Sequence, residues 1–126
     1  MMAHLEHTNL TVSDPDTTAK WMCALFGWHV RWAGAAMSTG RTVHVGTDSH
    51  YLALFSPGAP GQAQDDTYST IGGLNHLAVT VNDIAKMEQA VTAQGFTAEK
   101  HADYEPGKRF YFHDHDGIEY EVVQYD

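Results

Sequence analysis

The sequence predicts an α+β fold built from two βαβββ repeats. Three observations predict it: a ten-residue segment occurs twice, a helix-like pattern follows each copy, and three short strand-like runs follow each helix. An internal repeat of this kind indicates two copies of one supersecondary unit. Because each half is too small to bury a sufficient core alone, we expect the two halves to share one.

The first element of each repeat is a short strand that carries a histidine. The segment "LEHTNLTVSD", residues 5–14, matches "LNHLAVTVND", residues 74–83, at five positions with one constant offset (76 − 7 = 69). Both segments alternate, as half-buried strands do. Their histidines, His7 and His76, fall on the face opposite the mainly apolar one.

A helix with recognisable ends follows each of these strands. In the first repeat Ser13 or Asp14 is placed to cap the helix, and Pro15 suits its first position. Glycine readily adopts the left-handed conformation that ends helices, which predicts the two ends at Gly27 and Gly95. In the second repeat the predicted cap is Asn82 or Asp83.

Turn residues divide the rest of each repeat into three strand-like runs. The chain is thus one predicted domain, residues 1–126, with repeat one at 1–56, a Pro/Gly-rich linker at 57–73 and repeat two at 74–126. The segment "HADYEPGKR" is predicted to be a mobile loop at the mouth of a cavity. The predicted strands are 28–33, 42–46, 51–55, 96–100, 109–112 and 118–124.

Composition excludes several classes of protein. The net charge of −9 repels nucleic acid and anionic lipid. No apolar run is long enough for a membrane-spanning helix, and the N-terminal segment does not resemble a signal peptide, so a cytoplasmic protein is expected. The single cysteine, Cys23, cannot form an internal disulfide.

The repeated βαβββ unit, with a histidine on each first strand and the ending "FYFHDHDGIEYEVVQ" at residues 110–124, resembles the vicinal oxygen chelate superfamily. This group includes glyoxalase I, extradiol dioxygenases, epimerases, fosfomycin-resistance enzymes and metal-free bleomycin-resistance proteins. The resemblance implies the glyoxalase/bleomycin resistance/dioxygenase fold, in which two repeats form a curled mixed sheet around a cavity. It does not identify the reaction, because one fold hosts many chemistries.

The resemblance also implies a set of metal ligands on the first and last strands of each half. The matching positions are His7, His76 and Glu121, whereas Ala53 occupies the fourth position and cannot bind a metal. A set of two histidines and one carboxylate leaves coordination positions open for substrate, water or oxygen. The implied cofactor is a divalent ion; iron(II), manganese, zinc and nickel all suit these ligands.

Three further residues are candidates for the site. Tyr111 lies ten residues before Glu121 (121 − 111 = 10), where extradiol dioxygenases place a catalytic tyrosine. Arg109 offers a planar fork suited to a substrate carboxylate or phosphonate. His50 is a candidate substrate contact; His44 is an alternative, because one error in the strand alternation exchanges the two.

The leading hypothesis is a small metal-dependent enzyme, dioxygenase-like or a glyoxalase-like lyase or isomerase, with Glu121 and Tyr111 as catalytic residues. The alternatives are a metal-free drug-binding protein of the bleomycin-resistance type and a thiol transferase of the fosfomycin-resistance type. The expected partners are a small-molecule substrate and a second copy of the chain. The sequence allows the halves to close on each other or to be exchanged between two chains.

Overall fold

The computed structural model of the chain describes residues 1–36, 39–63 and 66–126. Residues 37–38 of the first repeat and 64–65 of the predicted linker lie outside the described residues. The chain divides into two compact units, Met1–Gly61 and Gln62–Asp126. In chain order the elements are β1 His7–Thr11, α1 Pro15–Phe26, β2 His29–Ala35, β3 Arg41–Gly46, β4 Tyr51–Ser56, β5 Leu77–Thr80, α2 Ile84–Ala93, β6 Glu99–Tyr104, β7 Gly107–His113 and β8 Glu119–Tyr125.

The first unit is a four-stranded mixed sheet with α1 packed against β3 and β4. Its strand order is β1-β4-β3-β2. The strands β1 and β4 run parallel, and the other neighbours are antiparallel. Alternation along the strands buries one apolar set beneath the helix: Leu10, Val43, Val45, Leu52 and Leu54.

The ends of α1 agree with the sequence signals. The Asp14 carboxylate accepts hydrogen bonds from the backbone N–H groups of Asp16 and Thr17, and Pro15 begins the helix. Gly27 ends it with φ of 71°. Neither described helix is long and apolar enough to cross a membrane.

The second unit repeats this architecture. Its strand order is β5-β8-β7-β6, with β5 parallel to β8. Asp83 caps α2 by accepting from the backbone N–H of Lys86, and Gly95 takes a positive φ of 92° just after the helix. The core consists of large apolar side chains from α2 and alternate positions of β7 and β8: Val91, Phe110, Phe112, Tyr120 and Val122.

The two units therefore confirm the predicted α+β class with two βαβββ repeats. Their strand registers also match. Asn9 pairs with Ala53 across β1 and β4, and Ala78 pairs with Glu121 across β5 and β8. Because Asn9 and Ala78 occupy the same position of the repeat (78 − 9 = 69), Ala53 is the counterpart of Glu121.

The prediction of a mobile loop at residues 101–109 is wrong. Strand β6 continues to Tyr104, and β7 begins at Gly107, so only Glu105 and Pro106 form the turn of a β-hairpin. The segment is rich in polar residues, as loops are, because β6 is largely exposed and its alternation of buried and exposed side chains is broken. The register shifts between Glu99 and Ala102, where Lys100 has a positive φ of 54°.

Candidate functional site

A histidine and a buried carboxylate meet on the second sheet, on the face opposite α2. His76 lies just before β5 and Glu121 lies on β8. Nε2 of His76 is 3.3 Å from Oε1 of Glu121, and the Glu121 side chain is only 10% exposed. Alternation requires this placement, because the neighbours of Glu121, Tyr120 and Val122, point into the core.

The second ring nitrogen of His76, Nδ1, is held by the preceding residue. Its Nδ1 lies 2.7 Å from Oδ1 of Asn75, an oxygen that can only accept. Nδ1 therefore donates to Asn75, and Nε2 is the ring nitrogen that faces Glu121. Two electron-rich atoms at this distance suit a cation held between them, so this half of the predicted ligand set fits a divalent metal.

Two more predicted site residues surround Glu121. Arg109 Nη1 donates to Oε2 of Glu121 at 2.9 Å, which leaves Oε1 toward His76. Tyr111 is the cross-strand neighbour of Glu121. Burial, and then the charge of Glu121 and a hydrogen bond to it, raise the pKa of Tyr111, so its hydroxyl remains protonated. The structure thus brings together His76, Arg109, Tyr111 and Glu121.

The first unit presents His7 in an equivalent local setting. Nδ1 of His7 lies 3.0 Å from Oε1 of Glu6, and the ring stacks on Tyr51 with centroids 4.9 Å apart. The Tyr51 hydroxyl also donates to Glu6 at 3.1 Å. Glu6 and Asn75 each precede the histidine of their repeat, and each binds its Nδ1. The preceding residue thus engages Nδ1 in both repeats, whereas the joining of His7 to His76 and Glu121 at one ion remains a prediction.

The fourth position of the ligand set carries no donor. Ala53 is 2% exposed and pairs with His44 across β3 and β4. A methyl group cannot coordinate a metal, so the sheet position equivalent to Glu121 is apolar.

The two remaining first-half histidines differ in placement. His44 is on β3 beside Tyr51, with ring centroids 4.8 Å apart, and burial, followed by the charges of His7 and Arg31, lowers its pKa. His50 lies in the exposed turn before β4, where its Nδ1 is 3.0 Å from the Ser49 hydroxyl. Of these two histidines, His44 lies on a strand and His50 lies in a turn, and a substrate contact by His50 remains a prediction.

A second cluster of possible metal ligands lies elsewhere on the second sheet. Ligand atoms of Glu99, His113 and Glu119 are within 4.8 Å of one another. A shallow cleft of about 400 Å³ adjoins it, lined in part by Glu99 and His113. Because side chains alternate along a strand, His113 faces the same side of β7 as Tyr111, two residues earlier. This alternation could have identified His113 from the sequence.

The contacts of this second cluster favour a network of charges over a metal site. His113 faces Glu99 through Nδ1 at 2.9 Å and Glu119 through Nε2 at 3.5 Å. These nitrogens lie on opposite sides of the ring, and one ion can bind only one of them. Lys100 Nζ donates to Glu119 at 2.7 Å, and the Tyr68 hydroxyl donates to the same carboxylate. The described contacts of Glu99, His113 and Glu119 are therefore those of a network of ion pairs.

Solved structures with this fold span the whole chain. A glyoxylase/bleomycin resistance protein/dioxygenase domain from Frankia sp. is 21% identical, with 100% of this chain and 94% of that chain covered and a TM-score of 0.82. The fosfomycin resistance protein FosX from Listeria monocytogenes, crystallised with Mn(II) and sulfate, is 16% identical, with coverage of 100% and 95% and a TM-score of 0.77. FosX from Mesorhizobium loti is 19% identical, with coverage of 98% and 92% and a TM-score of 0.74.

Membership of a family rests on the sequence itself. No functionally curated protein matches the chain. The family model matches residues 4–122, which include both repeated strands and Glu121. The chain therefore belongs to the Glyoxalase/Bleomycin resistance protein/Dioxygenase superfamily.

Proposed function

We propose that the protein is a small divalent-metal-dependent enzyme that chelates its substrate through two oxygens at a site formed by His7, His76 and Glu121. The observation that carries the proposal is the 3.3 Å approach of His76 Nε2 to Glu121 Oε1, with Nδ1 of the same ring held by Asn75. Second-sphere bonds of this kind orient metal-binding histidines. FosX from Listeria monocytogenes, a structural neighbour crystallised with Mn(II), adds support for a divalent ion.

Three ligands leave room for a chelated substrate. A divalent ion held there would polarise the substrate oxygens and stabilise negative charge that develops on them. With alanine at position 53, the protein offers no fourth ligand from the position equivalent to Glu121. The three-ligand set puts dioxygenase-like chemistry first among the proposed reactions, and glyoxalase-type lyase or isomerase chemistry second.

The side chains around Glu121 have separate roles in this proposal. Arg109 holds one carboxylate oxygen through Nη1, which orients the other toward His76. Tyr111, whose pKa is raised, keeps its proton; its hydroxyl donates to Glu121 and would redirect that one hydrogen bond to a substrate oxygen. Glu121 would thus help to hold the ion, and its carboxylate is the catalytic acid–base group in this proposal.

The metal content of protein purified without chelator tests the proposal. We expect close to one ion per chain in the wild type and a large loss in His76→Ala. The matched control is His101→Ala, because His101 contacts Glu88 at 2.8 Å and does not contact Glu121. Metal-free wild type would refute the enzyme proposal and favour a drug-binding protein of the bleomycin-resistance type.

The variant His113→Ala separates the two clusters on the second sheet. Retention of the ion in His113→Ala and its loss in His76→Ala support the proposed site. The reverse result would place the ion at Glu99, His113 and Glu119. With the site established, oxygen consumption with catechols identifies a dioxygenase, and conversion of a thiohemiacetal identifies a glyoxalase-type isomerase.

A fosfomycin-directed activity is the second candidate. It is favoured by the structural similarity to FosX from two organisms, one of them crystallised with a dihydroxypropylphosphonic acid. Incubation of the Mn(II)-loaded protein with fosfomycin, with and without a thiol, tests it. The activity is supported if the wild type consumes the epoxide and Glu121→Gln does not. An epoxide that the wild type leaves unchanged excludes it.

We also propose that the protein is a homodimer, because each half is small and the resemblance to the superfamily implies a second copy of the chain. Light scattering during size-exclusion chromatography at micromolar concentration tests this. A mass of two chains supports the dimer, and a mass of one chain contradicts it.

A further inference from the structure

Only one edge of the Arg109 guanidinium is engaged in the described structure. Nη1 donates to Glu121 at 2.9 Å. Nε and Nη2 are inaccessible to solvent and have no hydrogen-bond partner among residues 1–36, 39–63 and 66–126. A buried cationic donor without an acceptor destabilises a protein, so an arrangement of this kind calls for a physical reason.

The two free nitrogens form a fork. The N–H bonds of Nε and Nη2 lie on the same edge of the planar group and run nearly parallel, with a spacing that matches two oxygens of one anion. This chain also contains an example of a filled fork. Arg41 donates from Nε to Oδ2 of Asp16 at 2.7 Å and from Nη2 to Oδ1 at 3.0 Å.

The fork of Arg109 is held in place before any ligand binds. The Cζ atom of Arg109 lies 4.9 Å from the centre of the Tyr104 ring, which covers one face of the guanidinium. Glu121 fixes Nη1, and the whole side chain is 15% exposed. A held, desolvated fork loses little conformational entropy on binding and binds an anion more strongly than an exposed arginine does.

We propose that the Nε and Nη2 edge of Arg109 is an oxyanion subsite that binds a carboxylate, phosphonate or phosphate group of the substrate. The link to catalysis rests on the proposed function, since Arg109 and His76 bind the two oxygens of the same Glu121 carboxylate. The anionic group would lie close to the metal-binding position. The substrate class is therefore a compact acid whose charged group is separated by a few bonds from the two oxygens that chelate the metal.

The side-chain Nε–H resonance of Arg109 in ¹⁵N-labelled protein reports directly on this edge. The probes are acetate, methylphosphonate and the neutral acetamide, added to metal-free protein and to protein loaded with Zn(II). We expect a saturable shift of the Arg109 resonance with either or both anions and none with acetamide. The comparison of acetate with methylphosphonate decides which oxyanion the subsite prefers.

Two variants assign the binding, and their anion affinities are measured from the backbone amide shifts of residues 109–111 and 120–122, which do not depend on an arginine side chain. Arg109→Lys keeps the charge and loses the fork, and we expect at least a tenfold loss of anion affinity. The matched control, Arg41→Lys, removes an exposed fork that Asp16 already fills, and we expect wild-type anion affinity. An Arg109 resonance that does not respond in the wild type, or equal binding of acetamide, would overturn the subsite without reference to any variant.

The metal content of the same samples separates this inference from the proposed function. A saturable anion shift in protein that binds no metal would support the subsite while refuting the metalloenzyme. Metal binding at His76 together with an unresponsive Arg109 would refute the subsite alone. Anion affinity that survives unchanged in folded Arg109→Lys would also overturn it.

Discussion

Nε2 of His76 lies 3.3 Å from Oε1 of Glu121, and Nδ1 of the same ring is 2.7 Å from Oδ1 of Asn75. The amide thus determines which nitrogen faces the carboxylate. We predict that Asn75→Leu lowers the affinity for a divalent metal about 10- to 100-fold, because the ring loses its orienting acceptor. Isothermal titration with Zn(II) measures the change.

The control for this prediction is Asn82→Leu, which alters an exposed asparagine of the same repeat after β5. We expect wild-type metal affinity in this variant. An equal fall in both variants, or no change in Asn75→Leu, would contradict the orienting role of Asn75.

The proposed site has three ligands because Ala53 occupies the fourth position. Substitution of this alanine tests that explanation. Ala53→Glu places a carboxylate at the position equivalent to Glu121. Without metal we predict a loss of about 3 kcal/mol in the free energy of unfolding, because a charge is placed at a position that is only 2% exposed. With Zn(II) we expect the stability to recover and the metal affinity to exceed that of the wild type.

Ala53→Gln is the matched control, since it adds nearly the same volume without a charge. We expect it to be destabilised as well but to gain much less from Zn(II). Equal rescue of the two variants would show that position 53 does not face the metal. Chemical denaturation with and without Zn(II) provides all four free energies.

Alternation made most of the second-half site predictable from the sequence. Once Tyr120 and Val122 are assigned to the core, Glu121 must face the other way, and Tyr111 follows because β7 lies beside β8. The repeat then predicted that His76 lies on the face of its strand opposite the apolar side chains. The strand period and the offset between the repeats predict which face these residues occupy, whereas their roles as ligands, and the choice of Tyr111, came from the resemblance to the superfamily.

Contacts that depend on irregular backbone were not predictable in this way. The positive φ of Lys100 and the register shift beside it break the alternation of β6, and the Lys100 ammonium is bonded to Glu119. Tyr68 comes from the segment assigned to a linker and donates to the same carboxylate. Neither residue stands at a periodic position, so no pattern in the sequence linked it to Glu119.

Gly107 begins β7 at the hairpin turn, directly against β8. A Cβ atom at this position would overlap the backbone carbonyl of Gln124. We predict that Gly107→Ala costs about 2 kcal/mol of unfolding free energy, because backbone atoms must move apart and strain the strand pairing. Gly61→Ala is the control, since nothing lies within 4 Å of its added Cβ. Equal urea midpoints for the two variants would contradict the close approach.

The Glu119 carboxylate makes stability depend on pH in a definite direction. Burial raises its pKa, but hydrogen bonds from Lys100 and Tyr68 outweigh burial and hold the pKa below its ordinary value of 4.5. A lowered pKa means that the folded state favours the charged form, so this stabilisation is present above pH 4.5 and is lost as the pH falls through the folded-state pKa.

We therefore predict that Glu119→Gln costs about 2 kcal/mol at neutral pH, the loss of charge-assisted hydrogen bonds, and that the cost shrinks in acid. Urea unfolding of both proteins across the acidic range measures the difference. Glu88→Gln serves as the control, because its exposed pairing with His101 contributes little. A Glu119→Gln penalty that stays constant or grows as the pH falls below 4.5 would contradict the lowered pKa and the ion pair with Lys100 that causes it.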